Sequence, residues 1–264
     1  MIVYTDLDGT MLGPGGTFFR SPAGQVTLEP ARALTDLLDA GHTLVLVSGR
    51  TRAQLMEAQL IFGADGYIGE VGALVGWDRG RQVAELPGEG PPADDALVES
   101  LLEAFPGRLE FHDPWHIGHE IDVMLRGNVA PEESARWLAR QGSSHLELRD
   151  NGVLPVGRPT GLAPEAVPVH VYHLLPRGIS KRHAVAWDLQ RRGLGAADAV
   201  AIGDSNSDLE MAAVVDRFFL VANGAPHVQH QLEPNVTVTA GAQGLGWSEA
   251  VRTVLDGVPP YDRR

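Results

Sequence analysis

An α/β fold is what the sequence predicts: a doubly wound, Rossmann-like parallel sheet interrupted by an inserted α+β domain. Three observations carry that expectation. Short β-rich apolar runs alternate with helical patterns at both ends of the chain, the middle of the chain changes to strand pairs following single helices, and acidic and hydroxyl residues recur just past the ends of the apolar runs.

Taken in order, Ile2 to Thr5 reads as a strand that breaks at an Asp/Gly cluster. Residues 28–40 place Leu28, Leu34, Leu37 and Leu38 at helical spacing, and Gly41 ends that helix. Thr43 to Val47 is a nearly continuous apolar run, which suits a parallel strand buried on both faces. A helix over 51–62 and a short strand at Tyr67-Ile68 complete a βαβαβ unit. The same grammar returns later, with a helix over 180–192 between Ser180 and Gly193, a strand at 199–202, a helix at 207–215 and a strand at 218–221. Between them we expect a strand at 81–86, a helix at 93–105, strands near 108–113 and 119–126, a helix at 131–141, and strands near 145–156 and 169–175. The expected division is therefore a core of residues 1–80 and 177–264 and an inserted α+β domain of residues 81–176.

The chain has 264 residues, 44% of them hydrophobic, which is globular composition with enough length for a sizeable core. A net charge of −13 argues against nucleic acid and anionic membranes as partners, because both are polyanions. The absence of cysteine excludes thiolate metal sites and fits a reducing compartment. With neither a basic apolar leader nor a long apolar span, the expectation is a cytoplasmic protein. Of 21 basic residues only Lys181 is lysine, so the residue stands out.

In open α/β sheets, ligands bind beyond the carboxyl ends of the strands. The residues there are Asp6, Asp8 and Thr10 after the first strand, Ser48, Gly49 and Arg50 after the second, and Gly203, Asp204, Ser205 and Asp208 after the strand at 199–202, with Lys181 opening the preceding helix. Crowded carboxylates repel one another unless a cation neutralises them, and an all-oxygen set suits Mg²⁺ sharing its shell with a substrate phosphate. One carboxylate can then attack phosphorus, and a second acid two residues on can serve the leaving oxygen and the incoming water. The Ser48 hydroxyl, backbone amides and Lys181 suit the remaining phosphoryl oxygens.

Asp6-Leu7-Asp8-Gly9-Thr10, Val47-Ser48-Gly49-Arg50, Lys181 and Gly203-Asp204-Ser205-Asn206-Ser207-Asp208 resemble, in order, the four motifs of the haloacid dehalogenase superfamily of phosphohydrolases. The long segment from Ser48 to Lys181 is similar to the branch holding Cof-type sugar phosphatases, sucrose phosphatase, phosphomannomutase and mannosyl-3-phosphoglycerate phosphatase, in which the insert is a substrate-selecting cap. The resemblance implies Asp6 as nucleophile and Mg²⁺ ligand, and Asp8 as acid/base whose carbonyl also binds the metal. It implies Asp204 as second carboxylate ligand with Asp208 supporting it, and Leu7, Ser48, Gly49, Lys181 and Ser207 on the phosphate. Two departures stand out, since members commonly have Asn at the position of Ser207 and Asn-Gly where this chain has Val71-Gly72.

The expected activity is a Mg²⁺-dependent phosphatase acting on a sugar phosphate or glycosyl phospho-acid, a small phosphorylated molecule being the one partner expected. A phosphomutase using the same chemistry and a non-catalytic phosphometabolite-binding protein are the alternatives. The spacing of His112, His116 and His119 invites a metal reading, but Pro114 and Gly118 break the helix it needs. Arg158, Arg177 and His173 are undecided candidates for contacting a second anionic group.

Overall fold

In the computed structural model, which describes residues 1–154, 161–228 and 231–256, the chain runs through twelve strands and seven α-helices. In order they are β1 (Ile2–Thr5), α1 (Glu29–Asp39), β2 (Thr43–Val47), α2 (Arg52–Phe62), β3 (Gly66–Gly69), β4 (Leu74–Trp77) and β5 (Gln82–Glu85). Then come α3 (Asp95–Ala104), β6 (Leu109–Phe111), β7 (Val123–Gly127), α4 (Pro131–Arg140), β8 (Leu146–Val153) and β9 (His170–Pro176). The last are α5 (Lys181–Arg192), β10 (Ala199–Gly203), α6 (Asn206–Leu209), β11 (Arg217–Leu220), β12 (Val236–Val238) and α7 (Gln243–Asp256). They divide into two compact units, residues 1–85 with 180–264, and residues 86–179.

The first unit is α/β. Its eight strands lie in the order β12-β11-β10-β1-β2-β3-β4-β5, parallel from β12 to β3 and antiparallel over the last two pairs. Neighbouring residues of β1 show why helices are needed on both faces, since successive side chains of a strand point to opposite sides. Tyr4 donates its hydroxyl hydrogen to Asp188 Oδ2 of α5 at 2.9 Å, and Thr5 Oγ1 accepts from Trp247 Nε1 of α7 at 2.9 Å. On the α7 side, Val3, Leu44, Leu46, Leu34, Leu37 and Val251 form part of one buried cluster. The expected helix starts and stops hold where the cap chemistry is local: Thr51 and Gln54 form a reciprocal capping box on α2, and Ser180 Oγ accepts the His183 amide on α5.

The second unit is an antiparallel sheet in the order β6-β7-β9-β8. One face carries Leu125, Leu146, Leu148, Tyr172 and Leu174, packed with Val98 and Leu101 of α3 and Trp137 and Leu138 of α4.

Three expectations need correcting. The strand expected at 81–86 forms as β5, yet it pairs antiparallel with β4 in the first unit's sheet and is not part of the insert. The cause is a tight reversal through Asp78, Arg79 and Gly80, all in left-handed conformation at φ of 51°, 55° and 75°. At the other boundary, residues 177–179 stay with the second unit, where the Arg177 carbonyl accepts from the Glu89 amide and the Ile179 carbonyl from Arg149. The helix expected over 207–215 is one α-turn, α6, followed by a 3-10 stretch at Glu210–Val214. No helix among the described residues is long and apolar enough to cross a membrane.

Candidate active site

Four loops at the carboxyl ends of β1, β2, β10 and β11, with the start of α5, assemble a buried polar cluster within the first unit. The loop after β1 supplies Asp6, whose amide still belongs to the sheet, donating to the Ile202 carbonyl at 2.9 Å. Its carboxylate is divided in use. Oδ1 accepts from Lys181 Nζ at 2.9 Å, whereas Oδ2 is buried without a hydrogen-bond partner among the described residues. Burial pushes the Asp6 carboxyl up, to about 7, with Asp208 and Asp8 adding repulsion and Lys181 opposing them.

Lys181 is only 5% exposed and also donates to Asp208 Oδ1 at 2.6 Å. Burial by itself favours the neutral amine, but the two carboxylates outweigh it and hold the ammonium well above the ordinary lysine range. A cation at a helix start runs against the helix dipole, so this position makes physical sense only with the acids in front of it.

Asp208 spends its other oxygen on structure. Oδ2 accepts from Ser205 Oγ at 2.6 Å, from the Ser205 amide at 3.0 Å and from the Asp204 amide at 3.2 Å. It thereby fixes the loop that presents Asp204. That residue is held by Thr10 Oγ1 at 3.2 Å and Asn223 Nδ2 at 3.0 Å. Burial, then Asp6 and Asp208, raise the Asp204 carboxyl well above its usual range. Gly9 is needed here: at φ 88° a side chain would be strained, and a Cβ would lie 2.2 Å from Asp204 Oδ2.

Carboxylate oxygens of Asp6, Asp204 and Asp208 lie within 4.8 Å of one another. Three acids face one lysine, one of their oxygens is buried and unpaired among the described residues, and two of them are pushed toward protonation. The donor set is all oxygen. These residues could hold a metal ion, and the charge deficit is what a hard divalent cation offsets.

Asp8 is placed differently from the rest. Both of its oxygens are taken by Arg50, Nε at 2.7 Å and Nη2 at 2.6 Å, and its side chain is 53% exposed. Ser48 is buried, with its hydroxyl accepting from the Arg50 amide at 3.3 Å, so one short loop carries both the hydroxyl and the arginine. Leu7 is buried beneath the cluster, its carbonyl accepting from the amides of Thr10 and Leu12; Gly49 is half-buried; and Ser207 shares a hydrogen bond with Ser205 at 2.9 Å.

At the end of β3, Glu70, Val71 and Gly72 take successive positive φ of 48°, 59° and 107°. Asn tolerates this region and a β-branched residue resists it, so Val71 stores strain in place of a polar contact. A Cβ on Gly72 would lie 2.2 Å from the Ser180 carbonyl oxygen, which packs this turn directly against the start of α5 and hence against Lys181.

Sequence reasoning missed Asn223. Its amide group donates to the Gly9 carbonyl and to Asp204, and its oxygen accepts from the Gln243 amide at 2.7 Å, tying the loops after β1, β10 and β11 to the start of α7. The signal is in the sequence, since Asn223 lies just past the apolar run that ends β11.

Comparison with known proteins gives three findings. Residues 167–246 match a family model described as haloacid dehalogenase-like hydrolase. The chain is 33% identical over 258 residues to a protein named phosphoglycolate phosphatase from Pyrobaculum aerophilum, covering 97% of this chain and 96% of that one. A protein of the same name from Methanoculleus marisnigri is 30% identical, with 95% and 94% covered. Among solved structures, a sucrose-phosphatase from Synechocystis in complex with sucrose and phosphate superposes with a TM-score of 0.66 at 14% identity, over 96% of this chain and 97% of that one, which is a likeness of fold.

Proposed function

We propose, from the premise that this chain belongs to the haloacid dehalogenase superfamily of phosphohydrolases, in the branch of the Cof-type and sucrose phosphatases, that Asp6 is its nucleophile and Asp8 its acid/base. The protein is a phosphoric monoester hydrolase. The observation that carries the assignment is the divided use of Asp6: one oxygen fixed by Lys181, the other buried and without a partner among the described residues.

Asp6 Oδ2 attacks phosphorus while the bond from phosphorus to the ester oxygen breaks, leaving an aspartyl phosphate. Asp8, once it leaves Arg50 and takes up a proton from solvent, gives that proton to the departing oxygen and then takes one from the water that attacks phosphorus. That second attack releases orthophosphate and regenerates the Asp6 carboxylate. Lys181, the Ser48 hydroxyl, the Leu7 and Gly49 amides and Ser207 bind the phosphoryl oxygens. Asp208 positions Lys181 and the loop carrying Asp204. Mg²⁺ is the metal we assign, held by the side chains of Asp6 and Asp204 and the Asp8 carbonyl, where it compensates charge on the acids and the phosphate.

The substrate is a small phosphorylated metabolite: a sugar phosphate, a glycosyl phospho-acid, or the phosphoglycolate for which the relatives are named. The inserted unit acts as the substrate-selecting cap, no nucleic acid or membrane takes part, and the cysteine-free chain works in the cytoplasm. The test is release of inorganic phosphate from a panel of such esters by wild type and Asp6→Asn, with products checked for isomers. Stoichiometric phosphate that vanishes in the variant supports the assignment. Phosphate release undiminished by Asp6→Asn, or a rearranged ester with no phosphate, refutes it.

A further inference from the structure

Among the candidates for a second anionic group, Arg158 lies outside the described residues, Arg177 donates to the Ser144 carbonyl at 2.9 Å, and buried His173 bonds Asp122. In the first unit, Asn223 lies just past β11 and makes three hydrogen bonds that allow its amide one orientation. The Gln243 amide can only donate, so it faces Oδ1, and the Gly9 carbonyl can only accept, so it faces Nδ2. The other Nδ2 hydrogen is thereby aimed at Asp204 Oδ2, 3.0 Å away. The backbone holds the residue in place, because a Cβ on Gly224 would lie 2.2 Å from the Asp204 carbonyl oxygen, so the chain after Asn223 packs directly on that of Asp204.

The consequence falls on Asp204. Its Oδ2 is closed on two sides, by the Asn223 amide and by Gly9, where a Cβ would stand 2.2 Å away. Its Oδ1 accepts from the Thr10 hydroxyl at 3.2 Å, a long bond, and a carboxylate oxygen has room for a further partner. Asp204 therefore has one oxygen to offer a cation instead of two. The same Asn223 amide holds the Gly9 carbonyl, next in the chain to that of Asp8, so one side chain spans the two loops that carry Asp8 and Asp204. The number of oxygens offered decides which cation is preferred. Mg²⁺ demands a tight octahedron and takes single oxygens from its carboxylates, whereas Ca²⁺ takes about six to eight oxygens at longer distance and accepts both from one carboxylate.

We propose that Asn223 is a positioning residue that holds Asp204 to one-oxygen coordination and so makes the site select Mg²⁺ over Ca²⁺. The inference rests on the function proposed above, in which Asp204 is a metal ligand. A carboxamide suits the task, since it gives one N–H to each acceptor and keeps an oxygen for the Gln243 amide. Without it, Asp204 is free to turn and present both oxygens, which disturbs the Mg²⁺ octahedron but supplies Ca²⁺ with an added ligand. Asn235 is the matching control. Its Nδ2 donates to the Ala212 and Val215 carbonyls at 2.9 and 3.2 Å, tying loops in the same manner without touching an acid.

Calorimetric titration of the full, metal-free chain with magnesium chloride and with calcium chloride is the test. In wild type Ca²⁺ should bind no tighter than Mg²⁺. In Asn223→Ala the Mg²⁺ affinity should fall about tenfold or more, as it does when the partner behind a ligand is lost, while the Ca²⁺ affinity falls less than about twofold. Asn235→Ala should lower the thermal transition and leave the ratio of the two affinities unchanged, which separates selection from general loosening. Should Asn223→Ala not fold, Asn223→Ser, which keeps one shorter donor, should move the ratio the same way by less, and the wild-type comparison stands without either variant. Tighter binding of Ca²⁺ than of Mg²⁺ in wild type, a ratio unchanged in the Asn223 variants, or a ratio moved equally by Asn235→Ala overturns the proposal. Asp204→Asn tells this failure from failure of the metal assignment. A wild type that binds neither cation, or binding that Asp204→Asn leaves unchanged, refutes Asp204 as a metal ligand and this proposal with it; an unchanged ratio at a site that Asp204→Asn abolishes refutes the role of Asn223 alone.

Discussion

In the parallel sheet every charged side chain of the cluster comes from a loop or helix start beyond a strand's carboxyl end, as Asp6, Asp204 and Lys181 do, whereas in the four-stranded antiparallel sheet Arg149 and His173 stand on the strands themselves. The first arrangement follows from topology. Parallel strands bring their loops to one edge, so groups distant in sequence converge there without any one strand carrying a charge in its interior. An antiparallel sheet with one face covered by helices leaves its second face to the alternate residues, and which of them meet is set by cross-strand register. The difference teaches that the two sheets place polar groups by different rules, at the loop edge of the first unit and by strand register in the second.

That division can be broken in order of effect. Asp6→Asn should lower kcat by about 10,000-fold or more, as loss of a nucleophile does, while the thermal transition holds or rises because buried like-charge repulsion is relieved. Second-unit variants with losses of the same size on a small aryl phosphate would erase the distinction. Chelation by EDTA should abolish turnover and Mg²⁺ should restore it. Mg²⁺ should also raise the thermal transition in wild type, since a ligand of the folded state alone stabilises it; the shift should shrink in Asp204→Asn. Lys181→Arg should cost on the order of 100-fold in kcat, because a guanidinium cannot occupy the same buried point between Asp6 and Asp208. Near-normal activity would make the chain's one lysine a coincidence of composition.

The smallest effect sharpens the comparison most. Arg50 and Asp8 are paired at 2.6 Å but are 28% and 53% exposed, so Arg50→Gln should change stability by less than about 1 kcal/mol. Since the pair holds the proposed acid/base without being it, the same variant should change kcat by roughly tenfold, less than the ~100-fold or more that general acid–base catalysis itself contributes. Equal phosphatase activity in Arg50→Gln and wild type would show that the pairing has no part in turnover.

Legibility in the sequence follows the same line. Strand-end residues were readable because position in the chain dictates position at the edge. Asn223 obeys that rule and was passed over. Other features resisted reading for local reasons. Strand β4 has four residues, with Gly76 in its middle pressed against the Tyr67 ring. Helix α7 opens with Gly244 and Gly246, which pack against Pro30 and Gly241, so its start reads as a loop. Strand β12 is three residues long. The Arg50 grip on Asp8 and the Arg149 and His173 pairing are tertiary facts, set by which loops and registers meet, and no spacing announces them.

The most direct measurement is acid quench during steady-state turnover of a ³²P-labelled ester, followed by peptide mapping of the protein. Label on Asp6 in wild type, absent in Asp6→Asn, is the expected result. Rapid phosphate release with no label on the protein, or label on any residue other than Asp6, would contradict the mechanism.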